Sequence, residues 1–288
     1  MNRRALLIGG SGRLGTAIRA TWSDYAIDAP PRAELDLESA DGVANAIDRF
    51  SPGVVVNCAA FADVDACERF VERAFAVNAV AVERAARACG DRGVVFVTIS
   101  TDYVFDGRTQ RPYAEDDPAH PLSVYGTSKL AGELLVERLG GRALVIRTCG
   151  LYGQSRRAGA VPSFAERILA QARAGEPLAV VSDTIASPTY AEHLAEAIRA
   201  LLAADASGLF HAAGAGPASW YDFAAELLAQ AGIDAAIEPI AAHEWKAGAR
   251  RPRFSALDDR KLRAAGFAMP SWKDGVAAYV RRLPGFCA

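Results

Sequence analysis

The sequence predicts an α/β protein: a Rossmann-type doubly wound parallel sheet with a smaller α/β substrate lobe built from C-terminal segments. Three observations predict it. Short apolar runs alternate with helical patterns, a glycine-rich loop follows the first run, and the rhythm loosens beyond residue 150. The runs are rich in Val, Ile and Leu without period-two alternation, as strands buried on both faces of a parallel sheet must be. Strands joined through helices imply right-handed crossovers.

In chain order, ALLIGG (5–10) leads into RLGTAIRATW, and GVVVNCAAF (53–61) into the helical ACERFVERAFAVNAVAVERAARAC (66–89). GVVFVTIS (93–100) runs toward SVYGTSKLAGE (123–133), and RALVIRTCGLYG (142–153) closes the series. Further on, SFAERILAQARAGEP (163–177) has a helical pattern and PLAVVSD (177–183) that of a short strand. AEHLAEAIRALLAA (191–204) is an amphipathic helix, GLFHAAG (208–214) a buried strand, and WYDFAAELLAQAG (220–232) a helix behind Ser219 as its N-cap. This divides the chain into a dinucleotide-binding domain, 1–150 plus about 189–215, and a substrate-binding lobe, 151–188 plus 216–288.

Composition narrows the function classes. With 288 residues, 51% apolar, 23% charged and a net charge of −2, the chain lacks the field that nucleic acid or a membrane surface would attract. The start, MNRRALLIGGSG, resembles a signal peptide only superficially, because its apolar run stops at Gly9. No stretch approaches about 18 apolar residues, so a membrane span is not expected. Five cysteines without C-x-x-C spacing read as buried thiols in a reducing cytosol. The expectation is a cytoplasmic monomer or homodimer without nucleic-acid or membrane partners. His120, His193, His211 and His243 are too scattered for a metal motif, and His211 reads as a structural imidazole. Glu115-Asp116-Asp117 before Pro118 reads as a solvated turn, and Trp220, Trp245 and Trp272 as packing residues.

GGSGRLG places Gly9, Gly12 and Gly15 after a strand and at the opening of a helix. Gly9 permits the tight turn, Gly12 a close approach of backbone to pyrophosphate, and Gly15 close helix–strand packing. Ser11, Arg13 and Leu14 line the same loop, whose helix N-terminus faces the phosphates. Asp28 offers acceptors for a ribose 2′-hydroxyl, which favours NAD; Arg13 and Arg32 offer partners for a 2′-phosphate, which favours NADP. Two arginines against one acid favour NADP, with NAD as a second cofactor.

Tyr125 and Lys129 stand four residues apart and share a helix face. An ordinary phenol titrates near 10; a nearby ammonium lowers that toward the working range. The compact Lys ammonium can also hold a ribose hydroxyl. Ser100-Thr101-Asp102 lies at the C-terminal end of a buried strand, where open parallel sheets bind ligands. A hydroxyl there can hydrogen-bond a carbonyl oxygen while Tyr125 protonates it.

These motifs, with VVVNCAAFADVDACE, PYAEDDPAHPLSVYGTSKLAGE and VIRTCGLYG in the same order, resemble an extended short-chain dehydrogenase/reductase. VVSDTIASPTYAEHLA (180–195) and RRPRFSALDDRKL (250–262) are similar to segments of dTDP-4-dehydrorhamnose reductases. The resemblance implies NAD(P)H-dependent reduction of a nucleotide-linked 4-keto-6-deoxysugar. Tyr125 would be the general acid, Lys129 its partner and the ribose holder, and Thr101 a hydrogen bond to the carbonyl oxygen. Asp36 and Leu37 would lie near the adenine, and Cys58, Ala59 and Ala60 near the middle of the cofactor. Ala62, Val64, Thr101, Asp102 and Tyr103 would meet the sugar, and Arg251 the nucleotide side.

The chain departs from that pattern in places. Cys149-Gly150 replaces a Ser-Trp pair, removing an aromatic wall; Phe61-Ala62-Asp63-Val64-Asp65 replaces H-T-A-V-D; Thr184 and Ala186 replace Gln and Gly. Two other readings stay open. One is a sugar-nucleotide epimerase or dehydratase, although dehydratases usually carry Glu where Tyr103 stands. The other is a non-catalytic regulatory subunit like that of methionine adenosyltransferase, which shares Leu-Tyr-Gly at 151–153.

Overall fold

The computed structural model describes residues 2–157, 159–245 and 248–283; Cys287 lies outside them. Its strands are β1 (Arg4–Ile8), β2 (Ala26–Asp28), β3 (Val54–Asn57), β4 (Val95–Thr101), β5 (Ala143–Thr148), β6 (Leu151–Tyr152), β7 (Leu178–Val181), β8 (Ile185–Ala186), β9 (Thr189–Tyr190), β10 (Gly208–His211), β11 (Ala218–Ser219) and β12 (Ile237–Ile240). The α-helices are α1 (Arg13–Thr21), α2 (Gly42–Phe50), α3 (Val64–Arg69), α4 (Val71–Phe75), α5 (Ala81–Gly90), α6 (Val124–Leu139), α7 (Phe164–Arg173), α8 (Ala191–Ala203), α9 (Trp220–Gln230), α10 (Arg260–Ala264) and α11 (Trp272–Arg281).

Six strands form one parallel sheet in the order β10-β5-β4-β3-β1-β2. The chain leaves β1 for β2 on one side and returns to β3 on the other. The crevice at the C-terminal ends of β1 and β3 is therefore the topological switch point, where such sheets bind ligands. The consecutive apolar residues of β1, β3 and β4 feed cores on both faces, one including Leu7, Val56 and Val97, the other Leu6, Val55 and Phe96. α8 packs on α1 in the first core, where the Trp22 indole N–H donates to the Ala195 carbonyl at 2.9 Å. Leu262 of α10 and Met269 join that same core.

The exposed edge strand β10 is blunted by side chains: Lys261 Nζ donates to the Leu209 carbonyl at 2.5 Å, and the His211 N–H donates to Glu115 at 2.9 Å. Glu115, expected in a solvated turn, is thus an edge cap. The second lobe has its own core around Tyr152, Ile168, Phe223 and Tyr279. Its helices α7, α9 and α11 all open with a capping box, Ser163–Glu166, Ser219–Asp222 and Ser271–Asp274, which satisfies the first free N–H groups reciprocally.

The helical stretch at 66–89 is not one helix. It breaks at Phe70 and passes through a π-turn at Ala76–Val80 before α5. The buried Asn78 explains the distortion: its amide accepts from the Phe61 N–H at 2.9 Å and donates to the Phe61 carbonyl and to Ser128 Oγ, both at 3.0 Å. Such π-turns recur at functional sites. α6 lies directly against it, because a side chain at Gly132 would collide with the Asn78 carbonyl, and one at Gly126 with that of Tyr103. The two glycines set the depth of α6 and of the residues it carries. Among the described residues no helix is long and apolar enough to cross a membrane.

Candidate active site

Gly9 sits at φ +74°, and a methyl group there would lie 3.0 Å from the Ala59 nitrogen, so the loops after β1 and β3 touch at the switch point. A side chain at Gly15 would collide with the Gly10 backbone. Gly12 differs: a methyl group there would meet only the Gly9 carbonyl, at 3.4 Å. The protein's own packing does not demand glycine at 12, so the space it leaves fits a ligand's approach. Gly12 also caps α1 without a side-chain hydrogen bond, leaving the helix N-terminus to an anion. These features fit a dinucleotide pyrophosphate.

Of the charged residues expected to meet the cofactor, Arg13 and Arg32 already have protein partners, and so does Asp28. Arg13 donates to Glu166 at 2.6 Å and to the Val161 carbonyl at 2.7 Å, tying the glycine loop to the second lobe. The Ser11 carbonyl accepts from the Arg156 N–H at 3.0 Å, a second tie. Arg32 is bound to Asp36 at 3.1 Å and Glu38 at 2.9 Å, while Leu37 is buried. Asp28 is held by Arg4, with Nε to Oδ2 at 2.7 Å. Cys58 and Ala59 are half-buried beside the loop and Ala60 is exposed. Ala62 is exposed and Val64, which opens α3, is half-buried.

Thr101 ends β4 and caps the short 3₁₀ turn Asp102–Val104, its Oγ1 accepting from the Tyr103 N–H at 3.1 Å. The same hydroxyl lies 3.1 Å from Asp102 Oδ1 and beside the Tyr125 phenol. Tyr103 and Tyr125 meet edge to face, with ring centroids 6.1 Å apart. Burial pushes the Tyr125 phenol above its ordinary value, and the Thr101 hydrogen bond opposes the rise. Lys129, 5% exposed, donates to the Ile99 carbonyl at 2.5 Å instead of reaching the phenol. Burial pushes its ammonium down to about 8, opposed by Glu133 one turn further along α6.

Glu133 makes a bidentate pair with Arg147 of β5, with contacts of 2.7 and 3.0 Å. Arg147 also stacks over Phe105 at 5.1 Å and lies 3.5 Å from His211. His211 accepts the structural role expected of it: burial, then the Arg147 charge, pushes its imidazole down to about 3.

On the opposite side, Asp102 is 2% exposed and turned inward. Its Oδ2 accepts from Ser255 at 2.6 Å and from the Cys149 thiol at 3.1 Å. Burial pushes this carboxyl up to about 6 against those hydrogen bonds. Arg251 pairs with Asp65 at 3.0 Å and approaches Tyr103, so the segment at 250–255 reaches the end of β4 twice. Gly150, at φ +48°, leaves room for the Trp220 indole, whose edge would stand 2.7 Å from a methyl group there. Trp245, expected to pack, is 45% exposed.

A family model described as the RmlD substrate binding domain matches residues 3–284. The chain belongs to this family. Its relatives include a dTDP-4-dehydrorhamnose reductase of Streptomyces griseus, 35% identical over 99% of this chain and 94% of the relative. The spore coat polysaccharide biosynthesis protein SpsK of Bacillus subtilis is 32% identical over 99% of both chains. The crystal structure of dTDP-4-dehydrorhamnose reductase from Bacillus anthracis in complex with NADP superposes with a TM-score of 0.93 at 30% identity, covering 98% of this chain and 100% of that one. A Thermus thermophilus UDP-glucose 4-epimerase shares the fold, with a TM-score of 0.81 at 20% identity and 98% and 99% coverage.

Within this member of the RmlD substrate-binding domain family, Thr101 and Tyr125 meet at the end of β4, and Lys129 binds the Ile99 carbonyl of the same strand. Asn78, Glu133, Arg147 and Ser255 are the supporting residues that sequence reasoning missed. An asparagine inside an apolar helical stretch, and a Glu one turn beyond Lys129, were the available signals.

Proposed function

We propose that this chain is an NADPH-dependent reductase of a nucleotide-linked 4-keto-6-deoxysugar of the dTDP-4-dehydrorhamnose type, with NADH as a second cofactor. The observation that supports the reading is the Thr101–Tyr125 contact at the end of β4, with Lys129 on the same helix and strand, in a sheet whose glycine loop has a central residue free of steric demand from the protein. A dihydronicotinamide held at the Gly9–Gly15 loop would supply the hydride for the ketone carbon.

The chain's own residues handle the proton. Tyr125 donates its phenolic proton to the ketone oxygen, so the ketone becomes a secondary alcohol. Thr101, held by the 3₁₀ turn, orients that phenol. Lys129 stays largely protonated at neutral pH and offers donors to ribose hydroxyls on the phenol's side of α6. Glu133, clamped by Arg147, keeps that ammonium from losing its proton in a buried setting. Arg251 and Tyr103 stand at the sugar-nucleotide side.

The test is to mix the purified protein with NADPH and dTDP-, GDP- and UDP-linked 4-keto-6-deoxysugars, and to follow the reduced nicotinamide by absorbance. Consumption with a dTDP-linked sugar is expected. No consumption with any of them would remove the reductase reading, and consumption that survives Tyr125→Phe would mean another group gives the proton.

A further inference from the structure

The end of β2 is where a Rossmann sheet reads the adenosine ribose. An acid there accepts from the 2′-hydroxyl of NAD and repels the 2′-phosphate of NADP. Asp28 ends β2, and the next residue touches the glycine loop: a methyl group at Gly10 would lie 2.7 Å from the Ala29 Cβ. By position, Asp28 is an NAD-type acid. Its carboxylate, however, is taken by Arg4 from the start of β1, with Nε to Oδ2 at 2.7 Å and Nη2 to Oδ1 at 3.4 Å. The register explains the reach. Arg4 pairs with Ala26 and Leu6 with Asp28, so the acid sits one side-chain pair further toward the C-terminal edge and leans back along the strand to meet the guanidinium.

Neighbouring charges leave Asp28 to Arg4. Asp24 is paired with Arg3 and Arg199, while Arg32 is paired with Asp36 and Glu38, and Arg73 with Glu38. Arg13, the arginine of the glycine loop, is directed at the second lobe.

We infer that Arg4 is a cofactor-specificity residue: by holding Asp28 away from the ribose and neutralising it, Arg4 lets the adenosine site admit a 2′-phosphate. This rests on the dinucleotide site proposed above and assigns its selectivity to a pair outside the glycine loop. Arg4 is a positioning residue, acting on the ligand through Asp28.

The test measures the dissociation constants of NADPH and NADH by titration calorimetry on the full chain and on R4Q, D28N and R4Q/D28N. Freeing a carboxylate beside a phosphate, and giving it a hydroxyl to accept from, should shift the NADPH-to-NADH ratio of dissociation constants in R4Q roughly tenfold toward NADH. D28N should leave NADH binding within about twofold, because a pinned acid makes no hydrogen bond to the ribose. R4Q/D28N should return the ratio toward the parent. An unchanged ratio in R4Q, or a double variant that keeps the R4Q shift, would overturn the inference. Should R4Q fail to fold, D28N alone decides: a loss of NADH affinity of about tenfold would show that Asp28 already holds the ribose. Failure to bind either dinucleotide in the parent chain would instead remove the reading on which the inference rests.

Discussion

The two halves of the cleft are held by different means. On the glycine-loop side the geometry is set by backbone in contact with backbone: Gly15 against Gly10 and Gly9 against Ala59. On the opposite side, side chains from a distant segment reach the end of β4: Arg251 to Asp65 and Ser255 to Asp102. Close-packed backbone has one arrangement, whereas a hydrogen-bonded side chain can change partner at modest cost. One side is therefore built to hold an invariant ligand, and the other can be retuned residue by residue. The departure from the family pattern at Cys149-Gly150 falls on the side-chain half, where the Cys149 thiol donates to Asp102.

The largest effect should separate chemistry from the backbone-set half. Tyr125→Phe should lower kcat by about 10²- to 10⁴-fold while leaving the NADPH dissociation constant near the parent value. If NADPH affinity falls in parallel, the two halves are not independent. Measuring single-turnover rates alongside calorimetry distinguishes the two results.

Next is the clamp that holds α6 on β5. Arg147→Met would leave Glu133 buried without its partner, and should cost about 3–5 kcal/mol in chemical denaturation. A loss below about 1 kcal/mol would mean that glycine packing alone seats α6.

Asp102 gives a pH-dependent test of the side-chain half. Its folded carboxyl sits near 6, above the ordinary value of 3.8, so the native state holds the proton more tightly than the unfolded chain. That contribution to stability is complete below about pH 4 and is lost as pH rises through 6. Asp102→Asn cannot titrate, so its stability relative to the parent should improve by about 2–3 kcal/mol between pH 4 and pH 7.5. A difference that does not vary with pH would place the carboxyl in a more solvated setting.

The smallest effect is expected at the mouth of the cleft. The Arg251–Asp65 pair is partly solvated, so Arg251→Ala should cost no more than about 1 kcal/mol of stability. It should raise KM for the sugar nucleotide several-fold with little change in KM for NADPH. An equal rise in both would make Arg251 part of the interface between the halves instead of a contact on one of them.

Legibility in the sequence follows the range of the interaction. The buried strands announce themselves because every residue of VVVN and VFVT is buried, and the glycine loop because its spacing is a local demand of the turn. The i, i+4 spacing of Tyr125 and Lys129 is likewise local. What that spacing did not contain is that Lys129 turns to the Ile99 carbonyl and that Thr101, not Lys129, opposes the rise of the phenol. The π-turn within 66–89 was hidden because Asn78 takes its partners from Phe61 and Ser128, 17 and 50 residues away.

By itself the sequence determined the buried strands β1, β3, β4, β5 and β10, the glycine loop that opens α1, and which residue types stand at the end of β4. All of these depend on neighbours within a turn or a strand. Only the tertiary structure decided the ionisation of Asp102, the direction of Lys129 and the partner of Asp28. Each is set by desolvation and by charges that the chain brings together from far apart, and no local pattern records them.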